Sequence, residues 1–196
     1  MTFHSKPKLL LHVCCAPCAT VPLHRLSEKF DLTFFWYGPN IHPQSEHDRR
    51  LEEVRRLAQK NNLELIEQPY TPDHWEQVVG PFSDQPESSF RQRCQSCYHL
   101  RMDFTAQKAV ELGFQWFTTT LSLSRHKNSK VLEGIGLQVA GVYGLSYCKE
   151  NFKKAGGEAL SVTLSKELDL YRQDYCGCRL SLIEARQRRQ SKELQK

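Results

Sequence analysis

Short apolar segments alternate with amphipathic segments along this chain, and this alternation constrains the fold more than any other feature. Strands are predicted at residues 8–14, 32–37, 63–67, 115–119 and 144–147. Helices are predicted from Pro17 onward, at 44–60, 97–112 and 128–140, and at the carboxyl end of the chain. Strands that alternate with helices favour a parallel sheet covered on both faces, with right-handed crossovers. We therefore predict an α/β fold: a three-layer, doubly wound parallel sheet of about five strands.

The chain length predicts a single α/β domain over residues 1–196, because 196 residues with 39% hydrophobic composition suffice for one core. Residues 69–93 are rich in Pro, Ser and Asp, which predicts a long functional loop with a short helical patch at 75–79. Residues 179–196 are predicted to form a basic C-terminal helix or tail. The opening residues contain no apolar run of the length of a signal peptide or membrane span, so we expect a soluble, cytoplasmic protein without a membrane partner.

Seven of the eight cysteines fall into three tight groups, which predicts a metal centre. The groups are Cys14, Cys15 and Cys18, then Cys94 and Cys97, then Cys176 and Cys178. Each of the two later pairs has the spacing that lets two sulfurs bind one metal centre. The first group follows a predicted strand, where doubly wound sheets place their functional crevice. Seven thiols exceed the needs of one centre and predict either a second metal or a reactive thiolate.

The cysteine spacing leaves two other classes of protein open. Cys15 and Cys18 after a strand are typical of a thiol-disulfide oxidoreductase. Four cysteines in two pairs also fit a structural zinc site, which would make the chain a zinc-stabilised RNA-binding module. Cys148 stands alone after an apolar strand and is predicted to be a small buried residue. The histidines stand singly, so no ligand site is predicted from them.

The charge pattern favours a phosphate-rich partner. The formal net charge is +5, and residues 186–196 carry much of the basic character, although a solvated helix end would look the same. Hydroxyl groups at the end of the fourth predicted strand precede several cations, an arrangement that suits phosphate contacts. No glycine-rich motif for ATP or NAD is present.

Several motifs together resemble the QueH family of epoxyqueuosine reductases. They are LLLHVCCAPCAT at 9–20, PESSFRQRCQSCYHLRM at 86–102, TTTLSLSRHKN at 118–128, NFKKAGG at 151–157 and YRQDYCGCRLS at 171–181. The resemblance covers residues 8–182. The chain departs from the family at Asn151, where Asp is common, and the family also varies at position 18.

The resemblance implies an adenine-nucleotide α-hydrolase-like (HUP-type) fold and a 4Fe-4S cluster with a neighbouring metal ion, iron or zinc. The seven grouped cysteines would hold these centres between them. It also implies reduction of epoxyqueuosine in tRNA to queuosine by two-electron deoxygenation of the epoxide, the last step of queuosine biosynthesis. An electron donor protein or a small reductant would then be required.

Residue roles follow from this resemblance as expectations. Asp174 and Tyr175, beside Cys176, are candidates for proton delivery, or else they cap and pack the chain there. Tyr37 and Tyr171 are candidates for stacking on the anticodon loop. The cations expected to hold the tRNA backbone are Arg91, Arg93, Arg101, Lys127, Lys153, Lys154 and Arg172.

Overall fold

The computed structural model describes residues 5–82 and 88–194, without the side chains of residues 88–91. Five parallel strands form one sheet in the order β3-β2-β1-β4-β5. The strands are β1 (Lys8–Val13), β2 (Asp31–Trp36), β3 (Leu65–Glu67), β4 (Trp116–Thr119) and β5 (Ser146–Tyr147). The predicted three-layer α/β fold is confirmed.

Helices cover both faces of the sheet. They are α1 (Ala16–Leu26), α2 (Gln44–Lys60), α3 (Pro72–Val79), α4 (Ser88–Glu111), α5 (Ser129–Tyr143), α6 (Gly157–Glu167) and α7 (Arg179–Glu193). Local sequence sets several of their ends: the Asn128 side chain caps α5 by accepting from Lys130 N and Val131 N. Gly144 ends the same helix in the left-handed conformation, at a φ of 66°. The C-terminal helix predicted within 179–196 is confirmed as α7.

Each face of the sheet has its own buried core because side chains alternate along the strands. Leu9, Leu11 and Val13 of β1 pack under α1 and α2, whereas Leu10 faces the opposite core with α4 and α5. Every one of these four side chains is fully buried. Such near-continuous burial is expected of a strand covered on both sides.

The strand order creates a topological switch between β1 and β4. The chain runs outward from β1 through β2 to β3 and then crosses to β4 on the other side of β1. The loops that follow β1 and β4 therefore diverge and open a crevice at the carboxyl edge of the sheet, the edge at which the strands end. We call this space the switch crevice. Cys14 and Cys15 directly follow β1, so the first cysteine group lies at this crevice.

The segment 69–93, predicted as a long loop, is mostly helical in its described residues. It contains α3, a 310 turn at Gly80–Phe82 and the start of α4, while 83–87 lie outside the described residues. Proline and Ser favour turns, but Pro72 occupies the first turn of α3, where the missing N–H costs nothing. Trp75 and Val79, four residues apart, bury one face of that helix. The helix predicted from residue 97 accordingly begins nine residues earlier, at Ser88.

No helix within residues 5–82 and 88–194 combines the length and apolarity that crossing a membrane requires.

Candidate functional site

The first cysteine group occupies the turn between β1 and α1. Cys14 and Cys15 are buried and Cys18, in the first turn of α1, is half-buried. Cys15 interacts electrostatically with both Cys14 and Cys18. Pro17 in the first turn of the helix fixes the backbone at this junction. Three sulfurs are thereby held together at the switch crevice.

The second group projects from α4, on the opposite face of the sheet. Cys94 and Cys97 stand at positions i and i+3 of one helix, so both lie on the same side of it. Arg101 continues that side one turn later and is only 1% exposed. The sequence-based boundary at residue 97 had placed Cys94 before the helix; the longer α4 gives both thiols a rigid support.

The third group lies in the segment that leads into α7. Cys178 is the N-cap of this helix, and its sulfur accepts from Ser181 N at 3.5 Å. Cys176 is exposed, whereas Cys178 is buried. Gly177 between them has a φ of 137°, a conformation that residues with a side chain rarely adopt.

The second and third groups approach each other in space. Burial raises the pKa of Cys94 to about 11, and the nearby thiol of Cys176 adds to this increase. The pKa values of Cys97 and Cys178 are also raised, by burial first and then by the same neighbouring thiols. Thiols this crowded stay protonated unless a cation compensates their charge. The second and third cysteine groups are thus electrostatic neighbours, although more than 75 residues separate them in sequence.

Two cations, one buried and one half-buried, join these two groups to the first one. Arg101 interacts electrostatically with Cys14, Cys97 and Cys176, and therefore with all three groups. Lys127, which follows β4 and is half-buried, interacts with Cys176, Cys14 and Cys18. The three cysteine groups predicted from sequence therefore gather around common cations at the switch crevice.

Arg50 of α2 holds the third cysteine group in place. Its guanidinium donates to the carbonyl oxygens of Cys176 at 3.1 Å and Tyr175 at 3.3 Å. Its Nε donates to Glu46 Oε1 at 2.7 Å, one turn earlier on the same helix. The side chain of Arg50 is 1% exposed and that of Glu46 11%, so this ion pair is largely buried. Electrostatic interaction with Cys15 and Cys14 also connects Arg50 to the first group.

A second set of contacts fastens the same segment to the turn before α2. His42 N donates to Gly177 O at 2.8 Å, and the Tyr175 hydroxyl donates to His42 O at 2.6 Å. The turn and the cysteine segment therefore pack as one unit.

Replacing Gly177 by alanine should disrupt this unit. The added Cβ would lie 2.8 Å from Asn40 Nδ2, and the backbone would keep an unfavourable positive φ. We expect the free energy of unfolding to fall by about 2–5 kcal/mol from strain and overpacking together. Gly144→Ala is the matched control, because Gly144 also has a positive φ but nothing within 4 Å of the added Cβ.

Urea unfolding of both variants measures the difference. In the Gly144 variant the free energy of unfolding should fall by only about 1–2 kcal/mol, the cost of the left-handed conformation for a residue with a side chain. Equal losses in the two variants would mean that the contact with Asn40 has no energetic weight.

His12, one of the singly placed histidines, lies beneath the site. Its Nδ1 is 2.8 Å from Thr119 Oγ1, and its Nε2 is 3.0 Å from Tyr37 O and 3.3 Å from Arg101 Nε. Burial, and then the charge of Arg101, hold the pKa of His12 well below its ordinary value, so the ring is neutral. The imidazole links the carboxyl ends of β2, β1 and β4. A single His gives no spacing signal, so sequence analysis missed this role.

Comparison with known proteins gives the family of this chain. A family profile described as epoxyqueuosine reductase QueH matches residues 9–184. The chain belongs to the QueH family. Relatives named epoxyqueuosine reductase QueH occur in Streptococcus pyogenes serotype M1, at 39% identity over 88% of this chain and 69% of the relative, and in Thermotoga maritima, at 38% over 92% and 93%. A third, from Acinetobacter baylyi, is 37% identical over 94% of this chain and 84% of the relative.

The two predicted proton donors of this QueH chain have different surroundings. Asp174 is exposed and lies 3.6 Å from Arg189 of α7. Tyr175 is half-buried beneath the Arg50 guanidinium, 4.9 Å from the ring centre, with its hydroxyl donating to a backbone carbonyl. Burial raises the pKa of Tyr175 to about 12. Both residues stay candidates, and Tyr175 is the better placed since it is adjacent to the held cysteine segment.

The predicted tRNA contacts of this QueH chain whose side chains are described fall into three sets: buried, exposed and half-buried. Arg93 and Arg101 are buried, and Arg93 pairs with Glu184 at 3.5 Å. Lys154 and Arg172 are exposed, while the side chain of Arg91 lies outside the described residues. Lys127 and Lys153 are half-buried, and Lys153 Nζ donates to Lys127 O at 2.6 Å.

The prediction that Tyr37 is exposed and stacks on the anticodon loop is wrong for this QueH chain. It is 2% exposed and stacks on Phe104, with ring centres 4.3 Å apart. Tyr37 directly follows the buried strand β2, and its ring packs in the same core. Tyr171 is half-buried, and its ring is covered by Arg49 at 3.5 Å.

Proposed function

We propose that this chain is an epoxyqueuosine reductase that acts on tRNA and completes queuosine biosynthesis. The observation that carries the proposal is the gathering of three distant cysteine groups around Arg50, Arg101 and Lys127 at the switch crevice. The family name supplies the reaction. A thiol-disulfide oxidoreductase would need only Cys15 and Cys18 and leaves the other two groups without a role.

The donor set fits an iron-sulfur cluster by its chemistry. Thiolates are the usual ligands of such clusters, and buried cations offset the negative charge that several thiolates bring into a low-dielectric site. As the side chains stand, no three His, Cys, Asp or Glu within residues 5–82 and 88–194 converge as metal ligands. We propose that Cys94, Cys97, Cys176 and Cys178, or a subset with Cys14 or Cys15, hold the cluster, and that the remaining thiols, Cys18 among them, hold a second metal, iron or zinc.

The reaction balances with an external reductant. The epoxide loses both carbon–oxygen bonds as two electrons and two protons enter, which gives an alkene and one molecule of water. A bound cluster would pass these electrons singly from a donor protein or a small reductant. The contribution of the chain itself is to position the substrate, exclude water and deliver protons, for which Tyr175 and Asp174 are the proposed donors.

The proposed tRNA contacts divide according to burial. Lys154 and Arg172 are exposed, and with Arg91 we propose that they bind phosphates at the rim of the carboxyl edge. We propose that Arg93 and Arg101 act inside the site, and that Lys127 and Lys153 lie at its boundary.

Lys154→Ala should weaken tRNA binding without affecting the fold. Loss of one phosphate contact should reduce the slope of log affinity against log salt by about one. The control is Lys60→Ala, an equally exposed cation at the end of α2 and thus at the opposite edge of the sheet. Filter binding over a salt series measures both slopes. A slope that changes equally in the two variants would contradict a contact at the carboxyl edge.

Conversion of the substrate tests the proposed function. Anaerobically purified protein is reduced and incubated with tRNA that carries epoxyqueuosine, and the nucleosides are then analysed by mass spectrometry. We expect loss of one oxygen atom and appearance of queuosine. If tRNA binds but its modified nucleoside stays unchanged under reducing conditions, the chain is a binding module and the proposal is wrong.

A further inference from the structure

The hydroxyl of Tyr37 is buried without a hydrogen-bond partner among the described residues. The side chain is 2% exposed, so bulk water does not serve as a partner. Buried tyrosine hydroxyls usually find a partner, because an unsatisfied polar group lowers stability. A group retained at this cost needs an explanation, and functional sites are where such costs concentrate.

Packing prevents the Tyr37 ring from turning to find a partner. Phe104 of α4 stacks on the ring at 4.3 Å between centres, and Phe35 lies 6.2 Å away with its plane at 29° to it. The hydroxyl is therefore held in a fixed direction, as preorganised catalytic donors are.

A second donor without a partner lies beside Tyr37. The Nη2 of Arg101 has no hydrogen-bonding oxygen or nitrogen among the described residues. The Tyr37 phenol interacts electrostatically with Arg101 and with Cys97. The Tyr37 backbone carbonyl and Arg101 Nε also lie 3.0 Å and 3.3 Å from His12 Nε2. Arg101 also interacts with Cys14 and Cys97, so the two donors stand next to the cysteine groups.

We propose that Tyr37 Oη–H and Arg101 Nη2–H bind the epoxide oxygen of the substrate. Two donors call for an acceptor, and the epoxide oxygen is an acceptor that gains negative charge as its carbon–oxygen bonds break. This inference rests on the proposed function. Electrons come from the external reductant, the two carbon–oxygen bonds break, and the oxygen leaves as water after it takes up two protons. The donor pair would bind this oxygen more strongly in the transition state than in the ground state.

Tyr37→Phe tests the proposal because it removes only the hydroxyl and leaves the stacked ring. In the holoenzyme we expect turnover to fall about 100-fold, as for the loss of one preorganised donor. Iron and sulfide per chain should equal the parent values. The thermal midpoint should rise, because the unsatisfied hydroxyl is gone. A purely structural hydroxyl predicts the opposite sign, a lower midpoint.

Tyr143→Phe is the control variant. The Tyr143 hydroxyl donates to Asp103 at 3.0 Å, remote from the cysteine groups, so its loss should leave turnover unchanged and lower the midpoint slightly. Parental turnover in Tyr37→Phe, or a lowered midpoint, would overturn the proposal. If the unsubstituted protein does not convert epoxyqueuosine in tRNA, the proposed function fails first; if it does and Tyr37→Phe equals it, only the donor pair is wrong.

Discussion

Arg50→Ala should lower the free energy of unfolding by about 3–5 kcal/mol, the cost of leaving a buried charge without its partner. The substitution removes donors to the carbonyl oxygens of Tyr175 and Cys176 and leaves Glu46 without its buried cation. The segment with Cys176 and Cys178 should then detach from α2. Metal content and turnover should both fall, since two of the proposed ligands are no longer held.

The matched control is Arg55→Ala on the same helix. Arg55 also forms two ion pairs, with Glu67 at 2.7 Å and Glu52 at 3.3 Å, but its side chain is 47% exposed. Exposed pairs contribute about 0–1 kcal/mol, so this variant should unfold nearly as the parent does. Urea unfolding of the metal-free proteins measures both changes.

Glu46→Gln in combination with Arg50→Ala separates the two roles of Arg50. The double variant has no uncompensated carboxylate, so it should recover part of the lost stability. It still lacks the donors to the cysteine segment, so metal content should remain low. If metal content returns together with stability, Arg50 acts through the charge of Glu46 alone and the proposed positioning of the cysteine segment is wrong.

Cys94→Ser combined with Cys176→Ser should abolish metal binding and turnover. The two thiols belong to different groups yet interact electrostatically, so the proposed centre loses ligands from both supports at once. We expect a decrease in turnover of at least about 1,000-fold, because electron transfer through the cluster is lost. Iron analysis, the visible spectrum and nucleoside analysis follow the three consequences.

Cys148→Ser is the control for this pair. Cys148 follows β5 and packs, half-buried, against the core between the sheet and α1, apart from the three groups. Its replacement should leave iron content and turnover close to those of the parent. Turnover retained in the Cys94 and Cys176 double variant, but lost in Cys15→Ser, would instead favour thiol-disulfide chemistry.

The parallel sheet was predictable because its strands are buried on both faces and therefore appear as uninterrupted apolar runs. Residues 8–14 and 32–37 are examples: the first prediction is one residue too long at its end, and the second is shifted by one residue from the observed strand. The segment 69–93 was harder to predict, because Pro and Ser mark both loops and first helical turns. Only tertiary burial of Trp75 and Val79 decides in favour of α3.

The cysteine groups were predictable as a set, but the residues that support them were not. Chelate spacing identifies pairs such as Cys176 and Cys178 from sequence alone. The contact between Arg50 and the Cys176 carbonyl joins residues 126 positions apart, so no local sequence pattern indicates it. The same holds for His12, whose partners Tyr37 and Thr119 come from neighbouring strands. Tyr37 was misjudged because an aromatic residue after a strand can face either the solvent or the core.

Metal and sulfide analysis of the anaerobically purified protein tests the central claim most directly. If the three cysteine groups hold a 4Fe-4S cluster and a second metal, the protein should be brown and should lose visible absorbance on reduction with dithionite. It should contain about four acid-labile sulfides per chain, with about four irons if the second metal is zinc and about five if it is iron. A colourless protein with stoichiometric zinc and no sulfide would contradict the claim and make the site structural.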